Sequence, residues 1–218
     1  MVFYASVSEN NELTNRLKSE IFDFIAVPRE KVEEYIAESD AILIGPGLPR
    51  EEGRVKDEEP TRSLTQRLLK KFPEKKWIID AGSLTEMEPE WLGKNCLITP
   101  HKKEFKTLFG VEESQVSEMA KRYGCVILLK GPTDIICSPK EQRISKGGNA
   151  GMTKGGTGDV LAGLAAAFAC KNDLFLAACV ASFINKRAGE ELFKEVGYYF
   201  NASDLAEKIP EVLGEYFR

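Results

Sequence analysis

Gly147-Gly148-Asn149-Ala150-Gly151-Met152-Thr153-Lys154-Gly155-Gly156-Thr157-Gly158-Asp159 runs straight into the small-sided apolar stretch Val160 to Phe168. Glycines let the backbone wrap closely round a bound group. The stretch behind them reads as a helix, whose first amides have no internal acceptors and whose dipole is positive at that end. Such a junction holds anions: a phosphate, or an oxyanion as it develops. Asp159 in the first turn is a poor phosphate ligand but stands where a base would take a proton beside one. Aspartate is also an ordinary first-turn residue, and glycine loops often only turn corners. The length of this loop, Lys154 within it and the alanine-rich helix behind it weigh for phosphoryl chemistry. A P-loop does not fit, because Gly151 and Gly156 lead to Thr157 instead of Lys-Ser/Thr.

Other polar clusters follow apolar runs: Gly45-Pro46-Gly47, Asp80-Ala81-Gly82, Thr99-Pro100-His101 and Lys130-Gly131. Gly45-Pro46-Gly47-Leu48 suits either a close backbone approach to a ligand or a tight turn. It is not a dinucleotide fingerprint, since the third glycine would fall on Arg50. Thr99 reads as the N-cap of a helix with Pro100 in its first turn, which puts His101 and Glu104 on one face. His101 is the sole histidine. Lone histidines are more often structural, but a place at a cleft edge suits substrate contact. Glu104 suits either Mg²⁺ through waters or simple compensation of the helix dipole. Lys130-Gly131 suits either an ammonium, or the backbone just after it, brought to a nucleotide phosphate or ribose, or a plain surface lysine.

These groups need a scaffold. Strand-like segments at 2–7, 22–27, 41–44, 77–79, 96–98 and 125–129 alternate with helix-like ones at 11–20, 28–38 and 60–72. A hairpin is expected from 134–137 with 143–145, then helices at 157–171, 173–196 and 209–216, and a charged loop covers 49–59. Ala41-Ile42-Leu43-Ile44 is continuously apolar, as in a strand covered on both faces. The alternation predicts a three-layer α/β fold, a mostly parallel sheet between helices, in a single domain over 1–218. Ligands of open α/β sheets bind beyond the carboxyl ends of the strands. All four clusters and the glycine loop are therefore expected to line one cleft.

Bulk properties narrow the function. A net charge of −4, from 30 basic and 34 acidic residues without a long basic run, argues against nucleic acid as partner. The lysines and arginines are scattered, and most read as solvated helix faces. The longest apolar stretch, Val160 to Cys170, is too short to span a bilayer, and no signal peptide is apparent. Cys96, Cys125, Cys137, Cys170 and Cys179 form no CxxC pair, so neither disulfides nor structural zinc are expected and the cytoplasm is the natural compartment.

Taken in order, Gly-Pro-Gly-Leu (45–48), Asp-Ala-x-x-Leu (80–84), Thr-Pro-His-x-x-Glu (99–104), Leu-Lys-Gly (129–131) and the long Gly-Asn-x-Gly-Met-x-x-Gly-Gly-x-Gly-Asp-Val-Leu-x-Gly (148–163) resemble the ADP/ATP-dependent NAD(P)H-hydrate dehydratases of the ribokinase-like superfamily. The last motif is the specific one. The resemblance covers roughly 40 to 210, with Ala202-Ser203-Asp204-Leu205 near its end. It implies a repair lyase that uses ADP or ATP with Mg²⁺ to dehydrate hydrated NADH or NADPH, the nucleotide phosphoryl group activating the ring hydroxyl. It implies Asp159 as base and the amides of Gly156, Thr157 and Gly158 as the anion hole. Lys130, Gly131, Pro132, Thr133, Asp134 and Gly158 would contact the nucleotide, and Gly47, His101 and Asp159 the hydrated nicotinamide. Relatives often form homo-oligomers. Pro49, Gly82 and Lys102-Lys103 depart from the pattern, and the hydroxyl residue common after Lys-Gly is displaced to the region of Thr133 and Asp134. The chain reaches Gly45 too early to contain the family's N-terminal glycine-rich strand–loop–helix. The same base and anion hole would also serve a small-molecule kinase of that superfamily, and a shortened substrate wall would suit a non-catalytic nucleotide-binding member.

Overall fold

In the computed structural model, which describes residues 1–53 and 58–216, strands β3 (Ala41–Ile44), β4 (Lys76–Ile79), β5 (Cys96–Ile98) and β6 (Val126–Leu129) lie side by side and parallel. The hairpin β7 (Asp134–Cys137) and β8 (Gln142–Ser145) extends the sheet antiparallel, in the order β3-β4-β5-β6-β7-β8. Residues 54–57, in the middle of the charged loop expected at 49–59, and residues 217–218 lie outside the described residues.

Period-two alternation builds the two cores. The register puts Ile44, Ile79, Ile98, Ile127 and Cys137 in one row across the sheet. That row packs on Ile36 of α2 (Val32–Glu38), Leu64 and Leu68 of α3 (Thr61–Lys71), Leu84 of α4 (Ala81–Glu86), Phe105 of α5 (Lys102–Phe109) and Met119 of α6 (Val116–Tyr123). Ile78, Leu97, Val126 and Leu128 face the other way. They meet Leu161, Ala162, Ala165 and Ala169 of α7 (Thr157–Ala169), and Leu174, Ala177, Ala178 and Ala181 of α8 (Leu174–Val196). Strands apolar on both faces thus sit between two helical layers. The far end of α8 packs Ile184, Ala188 and Leu192 against Leu205, Ile209 and Val212 of α9 (Ala202–Tyr216).

Several boundaries differ from expectation. The N-terminal strands shrink to β1 (Phe3–Tyr4) and β2 (Ile25–Ala26), a separate parallel pair. Helix α1 (Ser8–Leu17) begins before Asn11, which sits within its first turn and folds back: its amide oxygen accepts from Ser6 N at 3.1 Å and its amide nitrogen donates to Ser6 O at 3.1 Å. The segment after Pro28 opens as a 3-10 turn, Arg29–Lys31, before α2. The last helix starts at Ala202 instead of Ile209, because Asn201 and Asp204 cap it reciprocally. Asn201 Oδ1 accepts from Ser203 N at 2.7 Å, and Asp204 Oδ2 accepts from Asn201 N at 2.7 Å. Pro210 lies inside this helix.

No helix among the described residues is long and apolar enough to cross a membrane. All five cysteines are free. Burial pushes the Cys96 thiol up to about 11 and that of Cys125 up to about 12, so both are unreactive core residues.

Candidate active site

Parallel order brings the carboxyl ends of β3, β4, β5 and β6 to one edge, and with them the polar clusters. Pairing continues past the strand ends: Asp80 N donates to Ile44 O, Thr99 N to Ile79 O, and Lys130 N to Pro100 O at 2.8 Å. His101 and Lys130 are consequently bridged side by side. Gly45 is required here by space and backbone alike. Its φ is +119°, and a Cβ would lie 1.8 Å from the Asp80 carbonyl oxygen. Ala81, next to Asp80, is the one non-glycine residue with positive φ among the described residues, at +46°.

Asp80 and Lys130, fifty positions apart, form an ion pair at 2.9 Å with the carboxylate 3% and the lysine side chain 19% exposed. The Lys130 ammonium also lies against the start of α7: a Cβ on Gly158 would stand 3.5 Å from Nζ. Asp159 projects into the same field. The residue is exposed as a whole, yet partial loss of water round its carboxyl raises the pKa above the ordinary value. The charge of Asp80 raises it further and that of Lys130 pulls it back. Sequence reading put Asp80 among the clusters lining the cleft but assigned it no chemical role, and no local pattern could have paired it with Lys130.

The glycine loop reaches α7 through Gly156, whose φ of +87° makes the turn as N-cap. Thr157 donates its hydroxyl to Met152 O at 2.7 Å and Lys154 O at 2.8 Å, which closes the loop on itself. Its amide leans on Lys154 O at a long 3.4 Å, and the first regular helical bond runs from Val160 N to Gly156 O. The amides of Gly156, Gly158 and Asp159 meet no acceptor among the described residues. Of the three amides named from the sequence, two are therefore free and Thr157's is weakly engaged. Lys154, counted above toward phosphoryl chemistry, is turned away: its ammonium binds the carbonyls of Tyr198 and Phe200 and lies over the Phe200 ring. It anchors the loop.

His101, not Thr99, is the N-cap of α5. Nδ1 accepts from Glu104 N at 3.1 Å while Glu104 Oε2 accepts from His101 N at 2.9 Å, a capping box built with an imidazole. Thr99 instead prolongs β5, wholly buried, its hydroxyl without a partner among the described residues. With Nδ1 an acceptor, the neutral ring carries its proton on Nε2, 3.5 Å from Glu104 Oε1. His101 remains half exposed toward the cleft edge. Glu104 has one oxygen committed to the cap.

In the Lys130–Asp134 loop, Gly131, Pro132 and Thr133 are exposed at the tip, whereas Asp134 is buried. Its carboxylate accepts from Gly131 N at 2.9 Å and from the Ser182 hydroxyl at 2.7 Å, so it shapes the loop from inside. Gly47 has φ +72°, and its carbonyl accepts from the Asn10 amide at 3.0 Å, tying the strand end to α1. Lys186 departs from the expectation that lysines here are solvated: it is 6% exposed.

The NAD(P)H-hydrate dehydratase family profile matches residues 2–211. The bifunctional NAD(P)H-hydrate repair enzyme of Archaeoglobus fulgidus is 40% identical over 185 residues, 84% of this chain and 37% of its own. The ADP-dependent (S)-NAD(P)H-hydrate dehydratase of Cenarchaeum symbiosum is 41% identical over 150 residues, 64% of this chain and 52% of its own. The chain spans a third to two-fifths of the length of the first such repair enzymes. Among solved structures, a ribokinase-like protein of Enterococcus faecalis superposes with TM-score 0.80 at 21% identity, covering 98% of this chain and 76% of that one. The ADP/ATP-dependent NAD(P)H-hydrate dehydratase of Bacillus subtilis, co-crystallized with ATP/Mg²⁺, gives 0.75 at 20%, covering 99% and 88%. The fold expected from alternating strands and helices is thus the ribokinase-like one, and the chain belongs to the NAD(P)H-hydrate dehydratase family.

Proposed function

We propose that the protein dehydrates NADH-hydrate or NADPH-hydrate back to the reduced cofactor at the expense of ADP or ATP. The observation that carries this reading is the juxtaposition at the head of α7: free amides of Gly156 and Gly158, the Lys130–Asp80 pair, and an Asp159 carboxyl with a raised pKa. Asp159 takes the proton of the ring hydroxyl as its oxygen attacks the terminal phosphoryl group. The amides and Lys130 hold the charge that develops, each donor being worth about 3–4 kcal/mol in comparable anion holes. The ring C–O bond then breaks with phosphate as leaving group, and loss of the neighbouring carbon-bound proton restores the double bond. Gly131, Pro132 and Thr133 flank the nucleotide, Asp134 supports them from below, and Gly47 and His101 border the nicotinamide.

Among the described residues no three His, Cys, Asp or Glu side chains cluster to hold a metal. Mg²⁺ keeps several waters and takes one or two carboxylates plus substrate phosphates; Glu104, with one oxygen outside the helix cap, would hold through water an ion that arrives on the nucleotide. The ion would neutralise phosphate charge. The natural setting for such a cofactor-repair enzyme is the cytoplasm.

Purified protein incubated with hydrated NADH and ADP or ATP is expected to restore the absorbance of the reduced nicotinamide and release one phosphate per cofactor. No recovery with either nucleotide refutes the reading, and a stable phosphorylated product would make the protein a kinase.

The acid limb of the rate profile should report Asp159. The base must be ionised, so the rate falls as pH drops through a pKa lying above the ordinary aspartate value of about 3.9. Asp80→Asn removes a raising charge and leaves Lys130 unpaired, so the limb should move to lower pH. An unmoved limb would separate Asp80 from the base.

A further inference from the structure

We propose that Lys186 is a positioning residue: its buried ammonium is a built-in cation that fixes the spacing between the 130–134 loop and the glycine loop. Four oxygens surround Nζ. It donates to Gly131 O at 3.1 Å, Pro132 O at 3.3 Å and Gly147 O at 3.3 Å, and the Asp134 carboxylate stands 3.3 Å away. An ammonium has three protons, so four oxygens at nearly equal and rather long distances surround it as they would an ion instead of forming directed pairs. The carbonyls come from two loops, and the carboxylate balances the cation in a site from which water is nearly excluded.

Neighbours on α8 extend the anchor. Glu190 Oε1 accepts from Gly148 N at 3.2 Å, and the Asn149 amide donates to Gly189 O at 2.7 Å. The lysine stem lies under the loop, so that a Cβ on Gly148 would stand 3.3 Å from its Cγ. One face of α8 therefore carries both loops that border the slot for the phosphate chain. With a neutral side chain at 186, three carbonyl dipoles and a carboxylate would face one another without a counter-charge, and the loops would splay.

The functional consequence rests on the nucleotide reading above; the mechanical one does not. Lys186→Met strands the Asp134 charge and endangers folding, so Lys186→Met/Asp134→Asn is made beside it. In the nucleotide-free full chain, the double variant should exchange the amides of Gly131, Thr133, Asp134 and 147–151 about tenfold faster than wild type, with core strands unaffected. Its ADP affinity by calorimetry should weaken about tenfold. In Lys186→Met, ammonium chloride should recover ADP affinity where tetramethylammonium chloride at equal ionic strength does not, and wild type should ignore both. Unchanged loop exchange in the double variant overturns the proposal, as does a folded Lys186→Met whose affinity is intact or indifferent to ammonium. A wild type that binds no ADP refutes the nucleotide reading instead, while the loop-exchange comparison still judges the cation.

Discussion

Asp159→Asn should lower turnover by about a hundredfold to ten-thousandfold, the usual contribution of a general base, with nucleotide affinity nearly unchanged. The amide keeps the shape of the carboxyl and removes its capacity to take a proton. The same change should stabilise the fold at neutral pH. The folded-state pKa is raised by desolvation and by Asp80, so ionised Asp159 costs stability in full above that value; the cost fades as pH falls from the folded-state pKa to the unfolded-state one and is gone below it. A thermal scan at pH 7 should show Asp159→Asn melting above wild type, and one near pH 3 should show the two together. Loss of rate together with gain of stability is the signature of a group held where chemistry needs it. A variant that keeps its rate and melts with wild type at both pH values would remove Asp159 from the site.

Gly45→Ala should be the most damaging single-methyl addition at the strand ends. The new Cβ would sit 1.8 Å from the Asp80 carbonyl oxygen, 2.9 Å from its carbon and 3.1 Å from Ser83 Cβ, on a backbone with φ of +119°. Backbone atoms cannot move aside as a flexible side chain could. Overpacking and the disallowed conformation together are worth about 3–5 kcal/mol, which in a domain of this size lowers Tm by roughly 10 °C. Because the clash falls on the residue that pairs with Lys130, protein that still folds should also bind nucleotide less tightly. Circular dichroism melting and calorimetry on the same preparation check both outcomes, and a variant melting within a degree or so of wild type would contradict the packing described for Gly45.

How much of this was readable in the chain depends on the range of the forces involved. The run Ala41–Ile44 and the apolar triplets at 77–79 and 96–98 announced the sheet because a strand buried on both faces needs no polar residue, and the register then followed from parallel order. The glycine loop and Asp159 were legible for the opposite reason, since their pattern is local. What pairs across distance was not. Nothing near Asp80 points to Lys130, and Lys186 looked like any helix-surface lysine until α8 was seen to lie beneath two loops. Thr99 has the better reputation as a cap, yet ladder bonds drew it into β5 and left His101 to begin α5. At the N-terminus, two-residue strands are too short to leave a periodic trace, and Asn11 mimicked a helix start while folding back on Ser6.

The alanines that line the contact of α7 with α8 and the sheet have a mechanical consequence. Ala162, Ala165, Ala169, Ala177, Ala178 and Ala181 are wholly buried, and none has a torsion with which to absorb a sliding neighbour. The two helices are therefore geared together like meshed teeth. A rigid tilt of α7 toward a guest would therefore carry α8 with it, and with α8 the oxygen cage of Lys186.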